Sequence, residues 1–143
     1  MAKFHIYLNF KENTEEAFTF YKAVFGGEFS VLQRFKDTPH SADIAAEHQD
    51  KIMHVSLPLS GGMILMGTDD LGVMGRPFVQ GNNVSISIDA ESEAEADQLF
   101  AGLSDGAHIT MPLQKTFWGA YFGMLTDKFG IQWMLNYDFP KED

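Results

Sequence analysis

Phe4, Ile6, Leu8 and Phe10 alternate with His5, Tyr7 and Asn9, the two-residue period of a strand with one buried side. Beyond Asn13 the period lengthens: Phe20, Tyr21 and Val24 fall on one face of a helix over 14–25, which Gly26-Gly27 should end. Strands are predicted over 29–36, over 52–59, where Met53, Val55, Leu57 and Leu59 alternate with His54, Ser56 and Pro58, and over 63–68 after the Ser60-Gly61-Gly62 turn. A glycine-containing connection with Pro77 runs from Asp69 to Asn82, and the plan then repeats: strand 83–90, helix 92–103, strands 109–117, 121–126 and 131–137. Turns at Trp118-Gly119 and over 127–130 separate the last three strands. Each helix opens on a polar residue followed three positions later by glutamate, Asn13 with Glu16 and Ser92 with Glu95, the pattern of a reciprocal capping box. The chain therefore reads as two β-α-β-β-β modules, over 3–69 and 82–138, and as an α+β protein. The stretch 37–51 is much longer than the corresponding connection in the second module and is read either as a lid or as a surface excursion.

Composition narrows the classes of function. At 143 residues and 45% hydrophobic, the chain is expected to fold as one compact domain over 1–143. Twenty acidic against ten basic residues give a formal net charge of -10, which argues against nucleic acid and against an anionic membrane surface as partners. With no cysteine there is no disulfide scaffold, thiolate metal site or cysteine nucleophile. No apolar run approaches the ~20 residues of a membrane span, and a cytoplasmic protein is expected.

Three features carry a resemblance: the paired modules, the helix end Phe20-Tyr21-Lys22-Ala23-Val24-Phe25-Gly26-Gly27, and the run from Trp118-Gly119-Ala120-Tyr121 through Asp127 and Gly130 to Trp133. Together they resemble the vicinal oxygen chelate superfamily, and within it the PhnB-like branch of the glyoxalase and bleomycin-resistance group. The likeness covers essentially the whole chain. It implies that each module's strands curl into a half-open β-barrel around a cavity, with the helices outside, and that the protein is a homodimer.

The resemblance also implies where a metal would sit. Metal-dependent members use one side chain from the first and one from the last strand of each module. The matching positions here are His5 and Asn83 on the first strands and Met66 and Met134 on the last. Hard and borderline divalent ions require carboxylate, imidazole or carbonyl donors, whereas a thioether is a soft ligand. No metal and no cofactor are therefore expected.

The remaining candidates are side chains opposite the apolar stripes. Tyr7, Asn9 and His54 in the first module, and Ser85 with Ser87 in the second, would line a chamber of mixed aromatic, hydroxyl and amide character. Trp118 and Tyr121 flank a glycine turn and read equally as a ligand wall or a dimer contact. His5 and His54 read as ligand-orienting groups or as structural histidines. The function expected is metal-free binding of a small molecule, to which the acidic balance would suit a cation. The alternative is a lyase, isomerase or dioxygenase of the same superfamily. A ubiquinone-pathway methyltransferase label attaches to similar sequences, but no S-adenosylmethionine-binding pattern is recognisable in these residues.

Overall fold

The computed structural model describes residues 1–72 and 77–141; residues 73–76, inside the expected connection, lie outside the described residues. The chain divides into two compact units, Met1–Val79 and Gln80–Asp143.

In the first unit the order is β1 (Ile6–Phe10), α1 (Thr14–Phe25), β2 (Val31–Arg34), β3 (Ile52–Pro58) and β4 (Ile64–Asp69). These strands form one sheet in the order β1-β4-β3-β2. The β1-β4 pair is parallel and the other two are antiparallel. The second unit repeats the topology with β5 (Ile86–Asp89), α2 (Glu93–Leu103), β6 (His108–Lys115), β7 (Ala120–Thr126) and β8 (Gln132–Asp138), in the sheet order β5-β8-β7-β6. The sequence pattern thus located both helices and all eight strands found among the described residues.

Each helix covers one face of its own sheet. A side chain at Gly67 would lie 2.5 Å from Phe18 Cε1, so the bare backbone of β4 is what admits that ring. The β4 face that carries Leu65 and Gly67, and its in-register neighbours Leu8, Val55 and Leu57, therefore lies against α1. Phe18, Tyr21, Val55, Leu57 and Leu65 are fully buried there, each worth about 1.5–3 kcal/mol on burial. In the second unit Gly123 admits Phe100 in the same manner. Phe100, Leu103, Leu125, Trp133 and Leu135 form that unit's core.

Local chemistry departs from expectation at three places. Asn13 makes no side-chain cap; Asp69, buried at the end of β4, instead accepts from the Thr14 amide at 3.1 Å and the Ile52 amide at 2.8 Å. Ser92 does cap α2, accepting from the Glu95 amide at 3.0 Å, while Glu95 reaches one residue further back, to the Glu91 amide at 3.0 Å. Finally, β5 begins at Ile86, so Asn83 and Ser85 precede the strand. The Gln132 side chain there donates to the Val84 carbonyl at 2.6 Å and occupies a group that a longer ladder would have used.

The 37–51 stretch is wound into successive 3₁₀ turns around Phe35–Asp37, Ser41–Asp43 and Ala46–His48. Gln49 staples it by donating to the Ser41 and Ile44 carbonyls at 2.6 and 2.8 Å. Among the described residues no helix is long and apolar enough to cross a membrane.

Candidate functional site

The sheet face of the first unit opposite α1 carries Tyr7, Ser56 and Met66 in direct register. His54 stands on that face two residues before Ser56 in β3, as strand alternation requires. Tyr7 Oη lies 3.2 Å from His54 Nδ1, and His54 Nε2 lies 2.8 Å from Ser56 Oγ. The Tyr7 and His54 rings are tilted across each other at 5.6 Å between centroids. The two side chains are far apart in sequence and belong to strands that flank β4; the fold brings them together over it. Asn9 is exposed further along β1. Ser56 was not singled out in the sequence, although its place two residues after His54 on an alternating strand was the available signal.

His5 lies just ahead of β1, and its Nδ1 accepts the Ile64 amide at 3.1 Å. Accepting there uses the Nδ1 lone pair, so in the neutral ring the hydrogen is on Nε2 and neither nitrogen is free to coordinate. Register also changes its expected partner. Tyr7 pairs with Met66 and Ser87 with Met134, so stepping back two residues along each first strand makes Ser85, rather than Asn83, the counterpart of His5. Asn83 and Ser85 are both exposed. An engaged imidazole, a hydroxyl or amide, and the thioethers of Met66 and Met134 do not fit a hard or borderline divalent ion.

In the second unit, Ser87, Met134 and Met124 share the sheet face opposite α2. Trp118, 56% exposed at the β6-β7 turn, packs edge-on to Phe122 of that face at 6.1 Å and to Phe117 at 5.0 Å. Tyr121 is not with them. It lies on the α2 side, where its hydroxyl donates to Asp97 Oδ1 at 2.6 Å, and this bond to a carboxylate pushes the phenol up to about 12. Alternation through Ala120-Tyr121-Phe122-Gly123 left its face ambiguous in the sequence, because the core position carries glycine.

Two buried carboxylates invite a catalytic reading that their partners contradict. Asp69 holds two backbone amides, as described. Asp127 accepts from the Phe129 and Ile131 amides at 2.8 and 3.0 Å and from the Trp133 indole at 2.8 Å, which makes it the brace of the last turn.

A separate cavity of about 430 Å³ in the first unit is lined by Lys11, Glu12, His48, Lys51, Asp70, Pro77 and Phe78 among others. None of the ligand-binding candidates read from the sequence borders it, although His48 and Lys51 on its wall belong to the 37–51 stretch. Lys51 lies 3.7 Å from Glu12, so part of its charge is already matched. The Tyr7-His54-Ser56 chain is the better-built arrangement, because its polar atoms are held at hydrogen-bonding distance by paired strands.

Residues 2–136 match the family model described as 3-demethylubiquinone-9 3-methyltransferase. Among solved structures, protein PA1353 from Pseudomonas aeruginosa is similar at a TM-score of 0.83 and 38% identity, over 96% of this chain and 98% of that one. A putative 3-demethylubiquinone-9 3-methyltransferase, PhnB protein, from Bacillus cereus is similar at 0.75 and 26% identity, over 95% and 99%. A glyoxalase/bleomycin resistance protein/dioxygenase family enzyme from Burkholderia phytofirmans PsJN, at 0.59 and 16% identity over 93% and 97%, shares the fold.

Proposed function

The chain belongs to the PhnB-like family described as 3-demethylubiquinone-9 3-methyltransferase, with a glyoxalase/bleomycin-resistance-like fold consistent with the vicinal oxygen chelate superfamily, and we propose that it binds a small molecule without a metal. The observation that carries this reading is the Tyr7-His54-Ser56 hydrogen-bond chain beside Met66. It offers what small-molecule sites use, a few fixed polar atoms next to adaptable apolar surface. Ser87, Met124, Met134 and Trp118 give the second unit a face of similar character. The net charge of -10 favours a ligand that carries positive charge. A cytoplasmic homodimer completes the proposal, and light scattering of the eluted protein tests the dimer.

A second reading, metal-independent lyase or isomerase chemistry, is favoured by His54, since an imidazole between two hydroxyls can pass a proton. The family description names methyl transfer, so S-adenosylmethionine belongs in any ligand panel.

The test is thermal stability across small organic molecules and across nickel, zinc, manganese and iron. A true ligand at about a hundred times its Kd stabilises by ~2.7 kcal/mol. Organic ligands should raise the midpoint and the metals should not. One tightly held divalent ion per chain, lost in His5→Ala, would overturn the metal-free reading. Turnover of a stabilising compound would favour the enzyme.

A further inference from the structure

In its neutral form the Tyr7-His54-Ser56 chain carries one hydrogen on each hydroxyl and one on the ring. Two of these fill the bonds at 3.2 and 2.8 Å, and the third is left over at one end. Which end is decided by the histidine tautomer.

With the ring hydrogen on Nε2, Tyr7 donates to Nδ1, the ring donates to Ser56 Oγ, and the spare hydrogen sits on Ser56. That residue is only 6% exposed, and among the described residues His54 is the hydrogen-bond partner of its hydroxyl. A buried donor left without an acceptor costs roughly 1–3 kcal/mol. With the hydrogen on Nδ1 every bond reverses. Ser56 donates to Nε2, the ring donates to Tyr7 Oη, and the spare hydrogen sits on Tyr7, which is 45% exposed and open to water. Burial selects this second arrangement.

We propose that His54 is held as its Nδ1-H tautomer, that Tyr7 is thereby the outward donor of a one-way hydrogen-bond chain, and that the ligand of this face presents Tyr7 with an oxygen acceptor of the ketone, amide or ester class. This rests on the binding reading above and gives it a ligand chemistry. Each donor in the chain polarises the next, which strengthens the terminal Tyr7 hydroxyl as a donor. Met66, in register with Tyr7 on the neighbouring strand, supplies a soft surface for the carbon skeleton next to the acceptor. An ammonium group has donors and no acceptor. Placed at Tyr7 it would meet the hydroxyl hydrogen or force the chain to reverse and strand the hydrogen on Ser56. A cationic ligand satisfies the site when its charge lies away from the acceptor atom. Ser56 touches no ligand in this scheme; it is a positioning residue that sets the tautomer.

Nitrogen-15 NMR of histidine-labelled protein reads the tautomer directly, with His54→Gln to assign the signals and the pH set where the ring is seen to be neutral. The free protein should show a protonated Nδ1 and an unprotonated Nε2. Ser56→Ala should move the hydrogen toward Nε2. Acetophenone and 1-phenylethylamine, which share a carbon skeleton but present a carbonyl or an ammonium, are then titrated while the His54 signals are followed. Acetophenone should bind the more tightly and should weaken by about 3- to 10-fold in Tyr7→Phe, the size of one neutral hydrogen bond. An Nε2-H ring in the free protein, or binding of the amine at this face as tight as that of the ketone, overturns the donor assignment while leaving the ligand face intact. If neither probe moves the His54 signals, the acceptor proposal and the reading of this face as the binding site fall together.

Discussion

Single side chains decide what this fold can do. Met66 and Met134 could be read from the sequence as unfit for a hard metal; that His5 also spends its Nδ1 lone pair on the Ile64 amide needed three-dimensional register. Tyr121 shows the opposite case. In sequence it flanked a glycine turn and read equally as a ligand wall or a dimer contact, yet its bond to Asp97 ties it to the helix side. With the phenol raised to about 12, the contribution of that bond to stability is complete below the ordinary tyrosine value of about 10. It is lost as pH climbs through the raised value. Ultraviolet titration should therefore show a tyrosine ionising near 12 whose transition moves down in Asp97→Asn; a titration that Asp97→Asn leaves unchanged would contradict the assignment. Asp69 is a buried carboxylate whose loss should matter for folding. Asp69→Ala strands the Thr14 and Ile52 amides and should cost about 3 kcal/mol in urea unfolding, on the scale of bonds to a charged acceptor. Asp69→Asn keeps one acceptor oxygen and should cost clearly less.

Elements were legible wherever hydrophobic period and end signals agreed. The helix over 14–25 was placed from Phe20, Tyr21, Val24 and the following glycines, and it is found over those residues. Its start was placed correctly and only its cap was misread: Asn13 looks like a side-chain cap, while the actual partner, Asp69, lies 55 positions from Thr14, beyond the reach of any local pattern. The two helices should respond differently to cap removal. Ser92→Ala should destabilise by about 1 kcal/mol, the usual value of an N-cap bond, and Asn13→Ala by less than about half of that. Equal losses in chemical unfolding would show that α1 depends on its own cap after all. Strand ends were harder to place, since Val84, Ile86 and Ile88 alternate without a break; only the Gln132 bond to the Val84 carbonyl marks where β5 begins. The same limit hid Ser56. His54 was visible as a polar residue on a strand face, but its joining to both Tyr7 and Ser56 follows from the order β1-β4-β3-β2. The glycine at Gly67 is likewise explained by an element rather than by its neighbours. Gly67→Ala would press a methyl into Phe18 and should cost about 1–3 kcal/mol, the range for overpacking.

Across the whole molecule, twenty carboxylates face ten Lys and Arg, and two opposing effects set how stability varies with pH. Self-repulsion at neutral pH opposes the compact state and eases as exposed carboxylates take up protons. Ion pairs act in the other direction. Glu15 accepts both Arg34 Nη atoms, at 3.0 and 2.6 Å, and that bonding holds its carboxyl below the usual range; Lys36 does the same to Asp50. A carboxyl lowered on folding stabilises above its unfolded value of about 4, and the gain disappears as pH falls through the lowered value. The thermal midpoint should therefore rise as pH is taken down from about 6, where exposed carboxylates begin to take up protons, pass through a maximum near pH 5, and fall below about 4. Salt separates the two causes, because exposed repulsion is screened over a Debye length of about 10 Å at 0.1 M. Added sodium chloride should raise the midpoint at pH 8 and change it little near the maximum. Arg34→Ala should leave the neutral-to-acid rise in place and soften the fall below pH 4. A midpoint that instead climbs steadily from pH 5 to pH 9 would mean that repulsion among the acidic residues is not what limits stability at neutral pH.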